Sequence, residues 1–237
     1  MYSIKHRLGV MVPGNNSTLE PELWSRMPAG SALYASRLML KGDVTADALK
    51  GMEAEISRSA AELMATVVDV IMIADMVVSF IMEPDWNDRR TREITAQYKV
   101  PCVTGWTALH DALRHLGIKK FAMISPYPQN LQALAGPFFA RHGFKMTADT
   151  TFDFMDMLKT PMITPEQLRG AVDNLDLSGA EALLILSTDV PTFESIEPLE
   201  QELGIPILTQ NQTLFWSALN KIGNTDKVVR LGRLFAR

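Results

Sequence analysis

The stretch Asp69-Val-Ile-Met-Ile-Ala-Asp75 is a short apolar run that ends in a carboxylate. A similar stretch, Glu181-Ala-Leu-Leu-Ile-Leu-Ser187, follows about 112 residues later in the chain. Short apolar runs of this kind, bounded by polar residues, are typical of buried strands. A chain that repeats such a strand about half its length further on is predicted to contain two similar units.

Two further pairs of segments repeat in the same order. Gly9–Pro13 resembles Ala122–Pro126, and Pro101–Thr104 resembles Pro206–Thr209. The partners lie about 105 to 113 residues apart, which is close to the spacing of the first pair. Three pairs in one order indicate a duplicated α/β unit rather than a chance match.

Apolar runs alternate with segments of helical spacing along the whole chain. The predicted strands are Leu8–Val12, Val70–Ala74, Val100–Thr104, Lys120–Ser125, Ala182–Leu186 and Ile205–Thr209. The predicted helices are Thr45–Thr66, Trp106–Leu116, Asn130–His142, Pro165–Asn174, Ile196–Leu203 and Thr213–Ile222. This alternation predicts an α/β fold of two pseudo-symmetric Rossmann-like lobes, each with a mainly parallel sheet flanked by helices.

The two lobes are expected to pack closely, because no linker rich in Pro, Gly or Ser separates them. Residues 1–108 are assigned to lobe 1 and residues 109–210 to lobe 2. Residues 211–237 are expected to cross back and complete lobe 1. The functional site is predicted in the cleft between the lobes.

Composition argues against several classes of protein. Of 237 residues, 47% are hydrophobic and 21% are charged, and the net charge is −4. These values are typical of a globular protein, and without a basic cluster neither nucleic-acid nor membrane binding is expected. The longest apolar run, Val67–Met82, contains two aspartates and is too short to cross a bilayer. A cytoplasmic location is expected, because the N-terminus lacks a signal-peptide pattern and the single cysteine, Cys102, allows no intramolecular disulfide.

Polar residues follow every predicted strand of the repeat. In open parallel sheets, ligands bind beyond the carboxyl ends of the strands. The residues at those ends are Pro13–Thr18, Asp75, Thr104-Gly105, Pro126–Asn130, Ser187–Asp189 and Thr209–Gln212. Because the repeat relates Asp75 to Ser187, we expect these two side chains to face each other across the cleft.

Three of these residues are candidates for catalysis. Asp75 ends an apolar stretch, so burial should raise its pKa toward the range of a general acid or base; the plainer reading is a helix cap. Ser187 can donate a hydrogen bond to an oxyanion or, with a base beside it, act as a nucleophile; otherwise it caps a turn. The Tyr127 hydroxyl can donate to a carboxylate or an enolate, or can simply pack between the lobes.

Further strand-end residues are candidates for substrate binding through side-chain amides or backbone N–H groups. They are Asn15, Asn16, Val77, Val78, Thr188, Asp189 and Asn211. For the asparagines the alternative is ordinary capping of a helix. The four histidines show no metal-ligand spacing and the chain has no glycine-rich phosphate loop, so no metal and no cofactor are expected.

Four segments together resemble the aspartate/glutamate racemase superfamily, in particular its maleate cis-trans isomerase and arylmalonate decarboxylase branch. They are Val12–Glu20, Ser125–Tyr127, Ser187–Thr192 and Thr209–Trp216. The resemblance implies a pseudo-twofold α/β fold with a small carboxylate held between the lobes. It also implies that the Pro-Gly-Asn-Asn loop and Tyr127 bind this carboxylate, and that two cysteines flank the reacting carbon.

Both of the cysteine positions that the resemblance implies are changed in this chain. The first falls on Asp75 and the second on Ser187. The only cysteine, Cys102, lies inside a predicted strand and is interpreted as structural. We therefore expect a non-thiol variant of the chemistry.

Three functions remain open from the sequence. The first is a cofactor-independent isomerase or decarboxylase that performs acid–base chemistry at the carbon next to a carboxylate or carbonyl group. The second is a hydrolase of a small amide, lactam, lactone or ester that uses Asp75 and Ser187. The third is a non-catalytic protein that binds a small carboxylate. The expected partner is a small carboxylate or cyclic amide, and a homo-oligomer is expected by analogy.

Overall fold

The computed structural model describes residues 4–40 and 43–236, which contain two four-stranded parallel sheets. The first sheet consists of β1 (His6–Pro13), β2 (Ser31–Leu38), β3 (Val70–Ile73) and β4 (Cys102–Thr104), in the order β2-β1-β3-β4. The second consists of β5 (Lys120–Ser125), β6 (Lys145–Thr151), β7 (Ala182–Ile185) and β8 (Ile207–Thr209), in the order β6-β5-β7-β8. The strand order is the same in both sheets, which confirms the predicted two-lobed α/β fold.

Helices fill the connections between the strands. They are α1 (Leu19–Ser25), α2 (Ala46–Glu53), α3 (Ile56–Ala65), α4 (Val77–Ile81), α5 (Trp86–Tyr98), α6 (Gly105–His115), α7 (Gln129–Gln132), α8 (Ala135–Arg141), α9 (Pro165–Asp173), α10 (Ile196–Leu203) and α11 (Gln210–Lys221). Short 3₁₀ turns span Met157–Met162 and Arg233–Phe235. Within the described ranges, no helix has the length and apolar character needed to cross a membrane.

The helix that follows the last strand of each sheet links the two lobes. Helices α6 and α11 begin directly after β4 and β8, each with a threonine capping box, at Thr104 and Thr209. Helix α6 packs along α11, and its Trp106 ring contacts Phe138 of α8 in the second half of the chain, 4.9 Å between centroids. Helix α11 in turn packs against β3 and β4 of the first sheet. The chain segments therefore cross between the sheets and fix their relative position; the lobe boundary at residue 108 stays a prediction.

The structure differs from the expected elements at the sheet edges and within two helices. Strands β2 and β6 were not predicted, because they are half-exposed edge strands without an apolar run. The predicted helix Thr45–Thr66 is divided into α2 and α3, and Asn130–His142 into α7 and α8. The inner strands β3 and β7 are buried along their whole length and lie side by side with β1 and β5, so their carboxyl ends meet the cleft.

Candidate active site

A small, partly open cavity lies where the carboxyl ends of the two sheets meet. Its walls come from the segments that follow β1, β3, β5 and β7, together with the α2 region and the 3₁₀ turn Met157–Met162. The lining residues are Pro13, Asn15, Asn16, Leu40, Val44, Leu49, Asp75, Met76, Val77, Tyr127, Met157, Ser187, Thr188 and Asp189. The structure thus brings together eight of the ten residues proposed from the sequence and leaves out Val78 and Asn211.

Asp75 lines this cavity and lies shortly after the end of β3. Its backbone N–H donates to the Ile73 carbonyl at 3.0 Å, which turns the chain sharply. The turn needs glycine at position 105, because a Cβ there would lie 2.4 Å from the Asp75 carbonyl oxygen. The Asp75 side chain is 8% exposed, and its Oδ1 accepts the Val78 N–H at 2.9 Å. Asp75 therefore does cap α4, as the plainer reading proposed, while also lining the cavity.

The Asp75 carboxyl group is poised to exchange a proton near neutral pH. Burial raises its pKa from 3.8 to about 6, although the N–H groups of Val78 and Val77 act in the opposite direction. None of the charged side chains in the described part of the chain contributes a compensating positive charge to this carboxyl group. A carboxyl group with such a pKa can both accept and return a proton.

Ser187 occupies the equivalent place after β7 and has an unusual backbone conformation. Its φ angle is 127°, in the region that favours glycine, although the residue is a buried serine. Such a conformation costs about 1–3 kcal/mol and is found most often at functional sites. The Ser187 Oγ accepts the Asp189 N–H at 3.3 Å, and no carboxylate or imidazole of the described residues forms a hydrogen bond with it. The hydroxyl is therefore placed at the cavity without a base that would activate it.

Tyr127 supplies a neutral hydroxyl group to the cavity. Its backbone is held by a hydrogen bond from its N–H to Ser125 Oγ at 3.1 Å, and its ring packs edge-on against Phe80 at 6.2 Å. Burial, and then the charge of Asp75, raise the pKa of Tyr127 well above its ordinary value. Among the described residues the hydroxyl has no hydrogen-bond partner. It is therefore a protonated donor that is available to a substrate oxygen.

The two asparagines of the loop after β1 have different roles. The Asn16 Oδ1 accepts the N–H groups of Thr18 and Leu19 at 3.1 and 3.0 Å, so it caps α1. Its Nδ2 donates to Thr188 Oγ1 at 3.0 Å and thereby joins the loops of the two lobes. The Asn15 amide forms no hydrogen bond with any residue of the described chain. Asn15, rather than Asn16, has the amide that is free to contact a substrate.

Asp189 is a second carboxyl group in the cavity wall. Its Oδ1 accepts the N–H groups of Ser17 and Thr18 at 2.9 and 3.2 Å. Its Oδ2 is buried and lacks a partner in the described part of the protein. Burial raises the pKa of Asp189, and the hydrogen bonds from residues 17 and 18 oppose this change. The residue fastens the β1 loop and also adds negative charge to the site.

Three residues that the sequence analysis proposed as substrate donors form hydrogen bonds with other protein groups in the structure. The N–H groups of Val77 and Val78 are engaged by the Asp75 carboxylate, so they are not free for a substrate oxygen. Asn211 is 1% exposed and lies behind the cavity, where its Nδ2 donates to Glu22 at 2.8 Å and to the Thr188 carbonyl at 3.0 Å. Hydrogen-bond partners of this kind cannot be read from strand-end position alone.

Other backbone donors are available instead. No hydrogen bond is found for the backbone N–H of Met76 or of Thr188 within residues 4–40 and 43–236. These two residues follow Asp75 and Ser187, so the repeat places one free N–H beside each of them. Both residues line the cavity. Together with Tyr127, they form a set of neutral donors suited to an anionic oxygen.

Glu22 and three apolar lining residues are not marked by any sequence pattern. Leu40, Val44 and Leu49 come from the β2–α2 connection and α2, and no motif marks them. Glu22 of α1 accepts the N–H groups of Thr192 and Phe193 and thus holds the loop that follows Ser187. Burial raises the pKa of Glu22.

The chain offers no thiol to the cavity. Cys102 is buried in β4, and burial raises the pKa of its thiol to about 12. It is absent from the cavity lining, so the structural interpretation of this residue agrees with its surroundings. Within the described residues no group of three His, Cys, Asp or Glu side chains could hold a metal ion.

The fold and the cavity define an α/β protein of two duplicated lobes with an acid–base group between them. Residues 8–235 match the Amdase family model, described as arylmalonate decarboxylase, and the chain belongs to this family. It is 30% identical to a maleate isomerase of Geobacillus stearothermophilus over 98% of both chains. It is 24% identical to an arylmalonate decarboxylase of Bordetella bronchiseptica over 95% of this chain and 91% of that protein.

Solved structures agree with this membership. A variant of the Nocardia farcinica maleate cis-trans isomerase that holds a covalent succinylcysteine intermediate superposes with a TM-score of 0.91, at 26% identity, over 97% of this chain and 98% of that one. The resemblance inferred from the sequence is therefore confirmed, and the chain is an enzyme of the isomerase or decarboxylase type. The alternative of a non-catalytic binding protein is not retained.

Proposed function

We propose that this enzyme moves a proton at the carbon next to a carbonyl or carboxylate group, with Asp75 as its acid–base residue and with neither a thiol nor a cofactor. The observation that carries this proposal is the Asp75 carboxyl group, which lines the cavity with a pKa of about 6. A small carboxylate or carbonyl compound is the expected substrate.

Groups in the cavity wall can take up the proton, stabilise the enolate and return the proton. Ionised Asp75 takes a proton from the carbon, and the electron pair of that C–H bond moves into a carbon–carbon double bond as the carbonyl oxygen becomes an enolate oxygen. Tyr127 and the N–H groups of Met76 and Thr188 donate hydrogen bonds to this oxygen. Asp75 then returns the proton to a carbon atom, which gives an isomerised product.

Decarboxylation uses the same groups, but it begins with Asp75 protonated rather than ionised. Loss of carbon dioxide leaves its bonding electron pair on the substrate as an enolate, which the same donors hold. Protonated Asp75 then gives its proton to the carbon and recovers a proton from solvent. Because Asp75 is half-ionised near pH 6, both states are accessible close to neutral pH.

Asp75 acts from one side of the cavity only. Ser187 occupies the equivalent position after β7 and also lines the cavity, and its hydroxyl is a weak acid and a weak base. A two-base racemisation would need a second group that exchanges protons as readily as Asp75. Isomerisation and decarboxylation need only one such group, and the cavity favours them for this reason.

The hydrolase alternative finds less support in the geometry. A nucleophilic serine needs a base within hydrogen-bond reach. The only hydrogen bond of the Ser187 hydroxyl in the described structure is the one it accepts from the Asp189 N–H. Oδ1 of Asp189 faces the N–H groups of Ser17 and Thr18 instead. Ser187 is assigned to orienting the intermediate, as a donor.

The proposal is tested by proton exchange in heavy water. Small carboxylates, β-keto acids, lactams and cyclic imides are incubated with the enzyme and followed by NMR. Three proteins are compared: the parent, Asp75→Asn, and the control Asp173→Asn, which changes an exposed surface carboxylate. We expect carbon-bound deuterium or loss of carbon dioxide with the parent and the control, and neither with Asp75→Asn. Ring or amide opening without carbon-bound deuterium would favour the hydrolase instead.

A further inference from the structure

We propose that Glu22 and Asn211 are positioning residues for the proton step, because together they hold the loop after β7 in the arrangement that leaves the Thr188 N–H available to the enolate oxygen. This inference rests on the proposed function, in which that N–H is one of the donors. Neither Glu22 nor Asn211 is among the residues that line the cavity, so each would act only through the loop.

The side chain and the carbonyl group of Thr188 are both held by hydrogen bonds. Its Oγ1 accepts the Asn16 amide at 3.0 Å and donates to the Ala74 carbonyl at 3.4 Å. Its carbonyl accepts the Nδ2 of Asn211 at 3.0 Å. Its backbone N–H has no hydrogen-bond partner among the described residues. The one polar group of Thr188 that stays available is thus the group proposed to donate to the enolate.

The contacts of Thr188 also act on the strained residue that precedes it. Ser187 has a φ of 127°, and such conformations persist only where the surrounding structure enforces them. The peptide that carries the Thr188 N–H begins at the Ser187 carbonyl. If residue 188 were released, rotation of the backbone at Ser187 would relieve the strain and turn this N–H. The bonds to Thr188 therefore maintain the direction of a donor.

The orientation of the Asn211 amide is determined by two acceptors. Its Nδ2 donates to Glu22 Oε2 at 2.8 Å and to the Thr188 carbonyl at 3.0 Å. Since an ionised carboxylate and a carbonyl can only accept, the NH₂ group of Asn211 must face them. The Asn211 Oδ1 is buried and lacks a partner in the described part of the chain. The amide is therefore oriented from its Nδ2 side alone.

Glu22 provides an acceptor at each of its carboxylate oxygens. Its Oε2 accepts from Asn211, and its Oε1 accepts the N–H groups of Thr192 and Phe193, the latter at 2.7 Å. Burial raises the pKa of Glu22, and the hydrogen bonds from residues 192, 193 and 211 oppose this change. These three donors need acceptors on both oxygens, which an ionised carboxylate supplies.

Glutamine at position 22 would disturb the bond to Asn211 selectively. Its amide oxygen can still accept the N–H groups of Thr192 and Phe193, but its NH₂ group then faces the NH₂ group of Asn211. Two donors cannot pair, and a rotated Asn211 would turn its Oδ1 toward the Thr188 carbonyl. Either arrangement weakens the hold on Thr188 while the rest of the loop keeps its acceptor.

The kinetic test uses two probes, phenylmalonate for decarboxylation and maleate for isomerisation, both followed by NMR. The parent is compared with Glu22→Gln, Asn211→Ala and the double variant. The control is Glu202→Gln, which changes an exposed glutamate of α10 that pairs with Arg169. We expect each single variant to lower kcat at least about tenfold, short of the roughly hundredfold loss of a whole oxyanion donor, with KM within about twofold of the parent.

The double variant tests whether the two residues act as one unit. It should be no slower than the slower single variant, because both substitutions break the same chain of contacts. Losses that multiply, an unchanged kcat, or a higher KM with an unchanged kcat would overturn the proposal. Circular dichroism confirms the fold, and Asn211→Ala alone decides the kinetic test if Glu22→Gln does not fold.

A ¹H–¹⁵N correlation spectrum tests the positioning without a substrate. The Thr188 amide signal should shift in Glu22→Gln and in Asn211→Ala, whereas the signal of Met76, the corresponding donor after β3, should stay in place. A shifted Thr188 signal in an enzyme that turns over neither probe would contradict the proposed function and support the positioning. An unmoved Thr188 signal in an enzyme that turns over a probe would support the function and overturn the positioning.

Discussion

Replacement of Asp75 by asparagine should make the protein more stable at neutral pH while abolishing its activity. Burial raises the pKa of Asp75 from 3.8 to about 6, so the folded protein holds this proton more tightly than the unfolded chain does. Ionisation of Asp75 therefore lowers the free energy of unfolding. Each pKa unit corresponds to 1.36 kcal/mol, which sets that cost at about 3 kcal/mol as an upper bound.

The direction of the pKa shift determines the pH range over which the parent protein loses stability. Below pH 3.8 the carboxyl group is protonated in both states, and its ionisation costs no stability. As the pH rises from 3.8 to about 6, the unfolded chain loses the proton first, so the parent becomes less stable. Above pH 6 the full cost is present. Asparagine does not titrate, so the advantage of Asp75→Asn should grow through this window and then level off.

Urea unfolding at several pH values between about 4 and 8 measures this difference directly. Other buried carboxyl groups, such as Glu22, titrate in both proteins, so their contributions cancel in the difference. The surface variant Asp173→Asn should show no comparable trend. A stability difference that does not change with pH, or an Asp75→Asn protein that is less stable at pH 7 than at pH 4 relative to the parent, would refute the argument.

Three further predictions follow from the geometry of the site. Gly105→Ala places a Cβ 2.4 Å from the Asp75 carbonyl oxygen and should lower the free energy of unfolding by about 1–3 kcal/mol, measured in urea. Ser187→Gly should be more stable than Ser187→Ala by about 1 kcal/mol, because both lose the hydroxyl but only glycine tolerates a φ of 127°. Equal stabilities would show that the backbone at 187 is not strained. Tyr127→Phe should slow deuterium exchange about a hundredfold without shifting the urea midpoint, because it removes a donor to the enolate oxygen; an unchanged rate would exclude Tyr127 from this role.

The sequence predicted the three buried strands of each sheet and not the partly exposed fourth strand. The pairs that correspond to β1 with β5, β3 with β7 and β4 with β8 are buried strands, and burial on both faces leaves a continuous apolar run. Strands β2 and β6 each lie at one edge of a sheet, where most of their residues are only partly buried and the sequence mixes polar and apolar residues. Helix α5 was not predicted, because it has few buried apolar positions: only Trp86, Asn87 and Ile94 of its thirteen residues are buried.

The ends of the predicted strands indicated where the candidate site lies. The hydrogen-bond partners of each residue there could be assigned only from the structure. Asp75 and Ser187 could be placed because each ends an inner strand, and the fold brings such ends together. Val78 and Asn211 were given substrate contacts because they follow strand ends, but their donors are engaged by Asp75 and Glu22. Leu40, Val44 and Leu49 could not be predicted as lining residues, since the β2–α2 connection and α2 reach the cavity through tertiary packing that no local pattern encodes.

The loops that carry the polar lining residues are held by contacts between the two halves of the chain. Asn16 donates to Thr188 at 3.0 Å, and the Ser17 N–H donates to Asp189 at 2.9 Å. These bonds tie the loop after β1 to the loop after β7, next to the strained backbone of Ser187. The apolar wall is instead built by the β2–α2 connection, α2 and the 3₁₀ turn, which contribute none of these bonds. The residues that we propose to handle the proton are thus anchored separately from the apolar lining residues, so we expect substitutions of Leu40, Val44 or Leu49 to leave the hydrogen bonds of the loops after β1 and β7 in place.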